Sequence, residues 1–171
     1  METPTPREYP ADRTADERTT LLMMRAWYRQ GMVTKVAGLS NEAARRRLVP
    51  SATAIVSVVK HLALVEDHWF TYHFAGLPEM EPWASAPFDQ DPDWDYNSAF
   101  GDTLADTLTL YQAACDRSDV IIEHAELDQI SVRPERVFTL RFVLVHMIEE
   151  TARHLGQLDI LRELLDGSTG E

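Results

Sequence analysis

Apolar residues recur along this chain with the period of an α-helix, in four long stretches separated by breaks that contain proline or glycine. No stretch shows the alternation of apolar and polar residues that is typical of a half-buried strand. Gly167 follows the last stretch, and glycine readily adopts the left-handed conformation at a helix C-terminus. We therefore expect an all-α protein whose long helices cover residues 15–39, 53–74, 99–124 and 138–165.

The segments outside these helices differ in character. Residues 1–14 contain three prolines and are expected to form a flexible tail, which leaves residues 15–167 as a single domain. Ser40 is a typical N-cap residue, and we expect a short helix to begin directly after it. Residues 77–97, between the second and third long helices, contain four prolines and four large aromatic residues, and they lose the helical period. Loops of this length are usually functional or disordered, and the aromatic residues favour a packed lid.

Charge and composition exclude several classes of protein. Lysine and arginine number 16 against 28 aspartates and glutamates, which gives a net charge of −12. This balance argues against a nucleic-acid partner or an anionic membrane surface, because both need clustered positive charge. The single cysteine, Cys115, excludes an internal disulfide and a thiolate zinc cage. No apolar stretch reaches the roughly 20 residues that span a bilayer, and the N-terminus does not resemble a signal peptide. We expect a cytoplasmic protein without a membrane partner.

The last long helix carries polar residues in the middle of its apolar face. At about 100° per residue, His146, His154 and Gln157 fall within about 40° of Glu150, and apolar residues continue the same stripe on both sides. An ionised carboxylate on a buried helix face must be paired, protonated or bound to a metal. Glu150 and His154 are four residues apart, so their side chains project side by side and could bind one ion.

The second long helix offers a further candidate ligand, His61, which lies in the middle of its apolar stripe together with His68. Lys60, Glu66 and Asp67 fall on the other side of this helix. His61, Glu150 and His154 would supply three protein ligands, and such a site leaves one coordination position open, as catalytic metal sites do. Nitrogen and oxygen ligands without a thiolate suit Zn²⁺, Ni²⁺ or Fe²⁺.

Less specific interpretations of these residues stay open. A histidine on an apolar helix face is more often a hydrogen-bonded core residue than a ligand, so the cluster could be a satisfied polar network. His146 could be a fourth ligand, a partner of a ligand or a core residue, and His68 could line a cavity mouth or simply pack. We expect His73 and His124 at the surface. The alternating Asp89, Asp91, Asp93 and Asp95 lack the glycine and the closing glutamate of a calcium loop and predict a solvated acidic loop.

Several motifs resemble those of the DinB/YfiT-like metalloprotein superfamily. They are His61 within Val-Val-Lys-His-Leu-Ala and the run from His154 to Gln157, His-Leu-Gly-Gln. The runs at residues 39–43, 46–50 and 145–154 are similar to an actinobacterial branch related to the mycothiol-dependent maleylpyruvate isomerases, over residues 15–167. The resemblance implies a four-helix bundle with one long crossover, often a homodimer. It also implies a metal held by His61, Glu150 and His154. Many members have arginine where this chain has Leu155, so no substrate contact of that arginine is carried over to this chain.

The resemblance also implies a function, namely a divalent-metal-dependent enzyme of small-molecule thiol chemistry. Mycothiol would be the cosubstrate, and the metal, with zinc as first candidate, would lower the pKa of its thiol for attack on an electrophilic substrate. His146 or His68 would accept or relay the proton. Two alternatives remain: a metal-dependent hydrolase of small molecules, and a non-catalytic dimeric module that binds metal or acts in stress responses.

Overall fold

The computed structural model describes residues 9–10 and 12–169, and this part of the chain is helical, with one isolated β-bridge and no named strand. The predicted all-α class is thereby confirmed. None of the described helices is long and apolar enough to cross a membrane. Most of the predicted tail, residues 1–14, lies outside the described residues. The α-helices are α1 (Glu17–Val36), α2 (Asn41–Ala44), α3 (Ile55–Glu66), α4 (Trp94–Ser98), α5 (Leu104–Glu123) and α6 (Leu140–Asp166).

The helix ends are set by local capping groups. Ser40 accepts a hydrogen bond from the backbone N–H of Ala43, which confirms the predicted cap of α2. Thr103 and Asp106 form a reciprocal capping box, and α5 therefore begins at Leu104 and not at residue 99 as predicted. Gly167 has a φ of 76° and ends α6 in the left-handed conformation, as its position in the sequence indicates.

Helix α3 lies at the centre of the molecule. It packs mainly against α5 and also contacts α4 and α6, while α1 packs mainly against α6. Residues on all sides of α3 are therefore buried, including Val56, Val59 and Leu62, whose side chains have no accessible surface. The expectation of one buried stripe with a polar side opposite it is wrong for this helix. Lys60, Glu66 and Asp67, assigned to that polar side, are all buried.

Two of these buried charges, one on α3 and one on the turn that directly follows it, hold the connecting segment (residues 75–103) in place. The Nζ atom of Lys60 lies 2.6 Å from Asp102 Oδ2 and 4.6 Å from the ring centre of Trp94. Asp67 accepts hydrogen bonds from Trp83 at 2.9 Å and from Arg117 at 2.8 Å. Because Lys60 and Asp67 contact distant parts of the segment, the segment forms a packed wall beside α3 and its continuation.

Helix α3 continues beyond Glu66 as a π-helix, Asp67–Phe74. The backbone N–H of Ala75 bonds to the carbonyl of Phe70 at 2.9 Å, five residues back in the chain. A π-helical turn contains more residues than an α-helical turn. The side chains that follow it therefore point in other directions than the 3.6-residue period of an α-helix predicts. His73, predicted at the surface, is consequently buried at 7% exposure. His124, for which the same prediction was made, is exposed.

We expect Gly76→Ala to destabilise the protein by roughly 3 kcal/mol, about twice to three times the loss for Gly38→Ala. Both glycines have positive φ angles, 69° and 74°, so alanine is strained at either position. At Gly76 a new Cβ would also lie 2.7 Å from Cγ1 of Val132, whereas at Gly38 nothing lies within 4 Å. Urea unfolding of both variants measures the difference, and equal losses would contradict the steric contribution.

Candidate metal centre

Two helices bring the three predicted ligands together. Glu150 and His154 lie one turn apart on α6, and His61 faces them from α3. One ligand atom from each of the three side chains lies within 4.8 Å of the other two. The imidazole rings of His61 and His154 have centres 4.7 Å apart. We call these three side chains the His61 trio.

Each histidine of the trio is oriented by an acceptor on its outer nitrogen. Nδ1 of His61 lies 2.7 Å from Oδ2 of Asp95, and Nδ1 of His154 lies 2.9 Å from Oε1 of Gln157. Carboxylate and amide oxygens accept hydrogen bonds, so each Nδ1 carries the proton and donates it. The lone pair is then left on Nε2 of both rings, which is the arrangement that a metal ligand requires.

Two buried atoms of the trio face each other without a hydrogen bond. Nε2 of His154 and Oε2 of Glu150 are 3.2 Å apart, and neither has a hydrogen-bond partner among the residues that the structure describes. Burial, the largest cause, lowers the pKa of His154, which disfavours a second proton on its ring. Two lone pairs that face each other in a buried position are costly unless a cation lies between them. The pair therefore fits a bound metal ion.

Arg153 keeps Glu150 ionised. It donates a short hydrogen bond to Oε1 of Glu150 and leaves Oε2 directed at His154. Burial by itself raises the pKa of Glu150, but the hydrogen bond and charge of Arg153 outweigh it, so the pKa lies below its ordinary value. The carboxylate thus offers one free, negatively charged oxygen at neutral pH.

His146 borders the trio without belonging to it. Its Nε2 lies 3.8 Å from Oε1 of Glu150, which is too far for a hydrogen bond. The ring is nearly parallel to that of Phe142, with 7° between the planes, and its centre lies 4.3 Å from that of Trp69. Its side chain is 22% exposed. His146 therefore has an accessible imidazole at the edge of the site.

His68 lies in a different cluster, on the π-helix. Its Nδ1 is 3.4 Å from Oε1 of Glu79, and its ring centre is 4.7 Å from that of His73. Burial, together with the charge of His73, lowers the pKa of His68 to about 4. Within the described part of the chain, none of its ring contacts or ion pairs is to the His61 trio. The structure thus brings His146, but not His68, next to the trio.

Two residues of the connecting segment lie at this site without having been predicted there. Asp95, assigned to a solvated acidic loop, has a side chain that is only 5% exposed and bonds to His61. The ring of Tyr96 lies 4.9 Å from that of His61. One signal could have distinguished Asp95 from the other aspartates of the alternating run, because large aromatic residues, Trp94 and Tyr96, flank it on both sides.

Comparison with known proteins identifies the family of this chain. The sequence model of the mycothiol-S-transferase family matches residues 20–167, from within α1 to the glycine that ends α6. That family is part of the DinB-like superfamily, which confirms the resemblance seen in the motifs. No curated protein and no solved structure matches the chain. Because the family match covers nearly all of the described helices and every residue of the His61 trio, the chain belongs to the mycothiol-S-transferase family.

Proposed function

We propose that this protein is a divalent-metal-dependent transferase or isomerase that uses mycothiol as its thiol substrate. The observation that carries the proposal is the facing pair of Nε2 of His154 and Oε2 of Glu150, 3.2 Å apart and without hydrogen-bond partners among the described residues. The family supports the thiol substrate, and the donor atoms support the metal.

The ligands of the ion would be Nε2 of His61, Oε2 of Glu150 and Nε2 of His154. Two imidazole nitrogens and one carboxylate oxygen suit Zn²⁺ first, and also Ni²⁺ or Fe²⁺. When bound, such an ion supplies Lewis acidity that lowers the pKa of a thiol in the open position. The three ligands come from two helices that pack against each other, so the chain itself sets their spacing before any ion binds.

The surrounding side chains have separate roles in this proposal. Arg153 neutralises one oxygen of Glu150 and so restricts that carboxylate to a single ligand atom. The ring of Tyr96 packs against that of His61 and forms part of the wall of the site. His146 is accessible and lies beside Glu150, which makes it the better placed of the two predicted proton acceptors. His68 is the weaker candidate because its contacts lie in the Glu79 cluster.

The finer features of the fold belong to the same proposal. We infer that the four long helices, α1, α3, α5 and α6, form a DinB-like four-helix bundle with one long crossover, and that residues 77–97 are its extended loop between the second and third long helices. Residues 15–167 would then be one domain, and the protein a cytoplasmic homodimer. The packing of α1 on α6 and of α3 on α5 and α6 supports the bundle. Analytical ultracentrifugation tests the dimer.

A reconstitution experiment tests the function. Protein freed of metal by a chelator is reloaded with one equivalent of Zn²⁺, Ni²⁺ or, without oxygen, Fe²⁺, and mixed with mycothiol and an alkyl halide. We expect thioether formation with release of halide, dependent on metal and much slower with glutathione. Metal-free protein is the control. Loaded protein that neither binds mycothiol nor accelerates the transfer would contradict the proposal, and ester cleavage without thiol would favour the hydrolase alternative.

A further inference from the structure

His61 is the one member of the trio whose orientation depends on the connecting segment. The outer nitrogen of His154 bonds to Gln157, three residues further along its own helix. The outer nitrogen of His61 instead bonds to Asp95, which is 34 residues away in the chain and lies on α4. The two histidines also differ in the charge of their partner, because one bonds to a carboxylate and the other to a neutral amide.

The carboxylate of Asp95 is buried, and among the described residues its side chain is hydrogen-bonded to His61. Its side chain is 5% exposed, and its bond to His61 Nδ1 at 2.7 Å is the one side-chain hydrogen bond that Asp95 makes within the described ranges. A buried carboxylate is costly unless it is compensated by a hydrogen bond or a nearby positive charge. The imidazole N–H of His61 provides the hydrogen bond. A cation held on the opposite nitrogen of the same ring would provide the nearby positive charge.

Contacts on both sides of Asp95 hold it in place. Lys60, the neighbour of His61 on α3, lies over the ring of Trp94 and pairs with Asp102. The ring of Tyr96 packs against His61 itself. The residues before and after Asp95 therefore both contact the same turn of α3, which leaves the carboxylate little freedom to move away from Nδ1.

We propose that Asp95 is a positioning residue for the metal centre. It holds the proton of His61 on Nδ1, fixes the direction of the ring, and so presents the lone pair of Nε2 to an ion shared with Glu150 and His154. Asp95 does not contact the ion or the substrate, and it acts through His61. This inference rests on the proposed function, since it assigns Asp95 a role toward the same metal ion.

Zinc affinity, measured by competition with a chromophoric chelator, tests the role of Asp95. We expect Asp95→Asn to lower the affinity by about 10- to 100-fold, as the loss of a partner behind a ligand typically does, and Asp95→Ala to lower it at least as much. Asp93→Asn is the matched control, because Asp93 lies exposed on the same segment, and its affinity should equal that of the wild type. Circular dichroism establishes that all three variants fold.

A second measurement does not depend on metal. Nitrogen-15 NMR of metal-free protein reports which ring nitrogen of His61 carries the proton. We expect protonated Nδ1 in the wild type and in Asp93→Asn, and a mixture of both forms in Asp95→Ala. Wild-type zinc affinity in both Asp95 variants, or an unchanged His61 tautomer in Asp95→Ala, would overturn the inference. A wild-type protein that binds no metal would contradict the proposed function. The His61 tautomer is measured in metal-free protein, so even in that case it decides whether Asp95 orients His61.

Discussion

Zn²⁺ affinity is expected to fall by more than roughly 100-fold in His154→Ala, and metal-dependent thiol transfer is expected to disappear with it. Loss of a partner behind a ligand costs about 10- to 100-fold in affinity, so loss of the ligand itself should cost more. His154 is buried and its Nε2 faces Glu150 across 3.2 Å, so no other side chain of the trio can take its place. Elemental analysis after dialysis, together with chelator competition, measures the change.

Two further variants separate a lost ligand from a damaged fold. Glu150→Gln keeps the volume of the side chain but removes its charge, and it should also bind zinc poorly. His124→Ala removes an exposed histidine and should bind like the wild type. At zinc concentrations about 100 times the Kd, the wild type should gain about 2.7 kcal/mol of stability, and His154→Ala should gain almost none. One equivalent of tightly bound zinc in His154→Ala would contradict the proposed ligand set.

Glu66→Ala is expected to give the largest loss of stability, roughly 3–5 kcal/mol, because it breaks a buried ion pair from one side. The side chain of Glu66 is 1% exposed and accepts hydrogen bonds from Arg29 Nε at 2.8 Å and from Ser118 at 2.9 Å. Arg25 also donates to it at 3.2 Å. Without the carboxylate, the half-exposed Asp119 is the one charged partner that the described residues offer to two nearly buried guanidinium groups. Urea unfolding measures the loss.

Glu163→Ala is the matched control for this substitution. Glu163 lies exposed on α6, and its removal should change the free energy of unfolding by no more than about 0.5 kcal/mol. Glu66→Gln keeps the shape and should lie between the two, since it loses the charge but retains acceptor capacity. If Glu66→Ala unfolds at the same urea concentration as Glu163→Ala, the buried network does not stabilise the fold.

The candidate site was predicted from two kinds of sequence pattern of different strength. Glu150 and His154 are four residues apart on a helix, and this spacing alone places them side by side, because one helical turn is a local property of the backbone. The pairing of His61 with them needed the further assumption that the apolar faces of two helices meet. The structure brings the three together, and their role as metal ligands stays a prediction.

The burial of charges around α3 was not predictable from periodicity. A single apolar stripe is typical of a helix with one covered side, but α3 is covered by α5, α6 and α4. Glu66 and Asp67 are buried because arginines of other helices reach them, Arg29 from α1 and Arg117 from α5. The π-helix adds a second difference, since it turns His73 inward against the expected period.

The presence of the long helices could be predicted from the sequence, as could the N-cap at Ser40 and the end of α6 at Gly167. Helical hydrogen bonds and caps join residues only a few positions apart, so a local pattern is enough to predict them. The identity of the buried aspartate did not follow. Four aspartates alternate along one segment, and although aromatic residues flank Asp95 on both sides, its burial depends on the contact with His61, 34 positions away. A local pattern carries no information about which distant surface will cover it. The packing of the connecting segment on α3 supplied that information and completed the surroundings of the site.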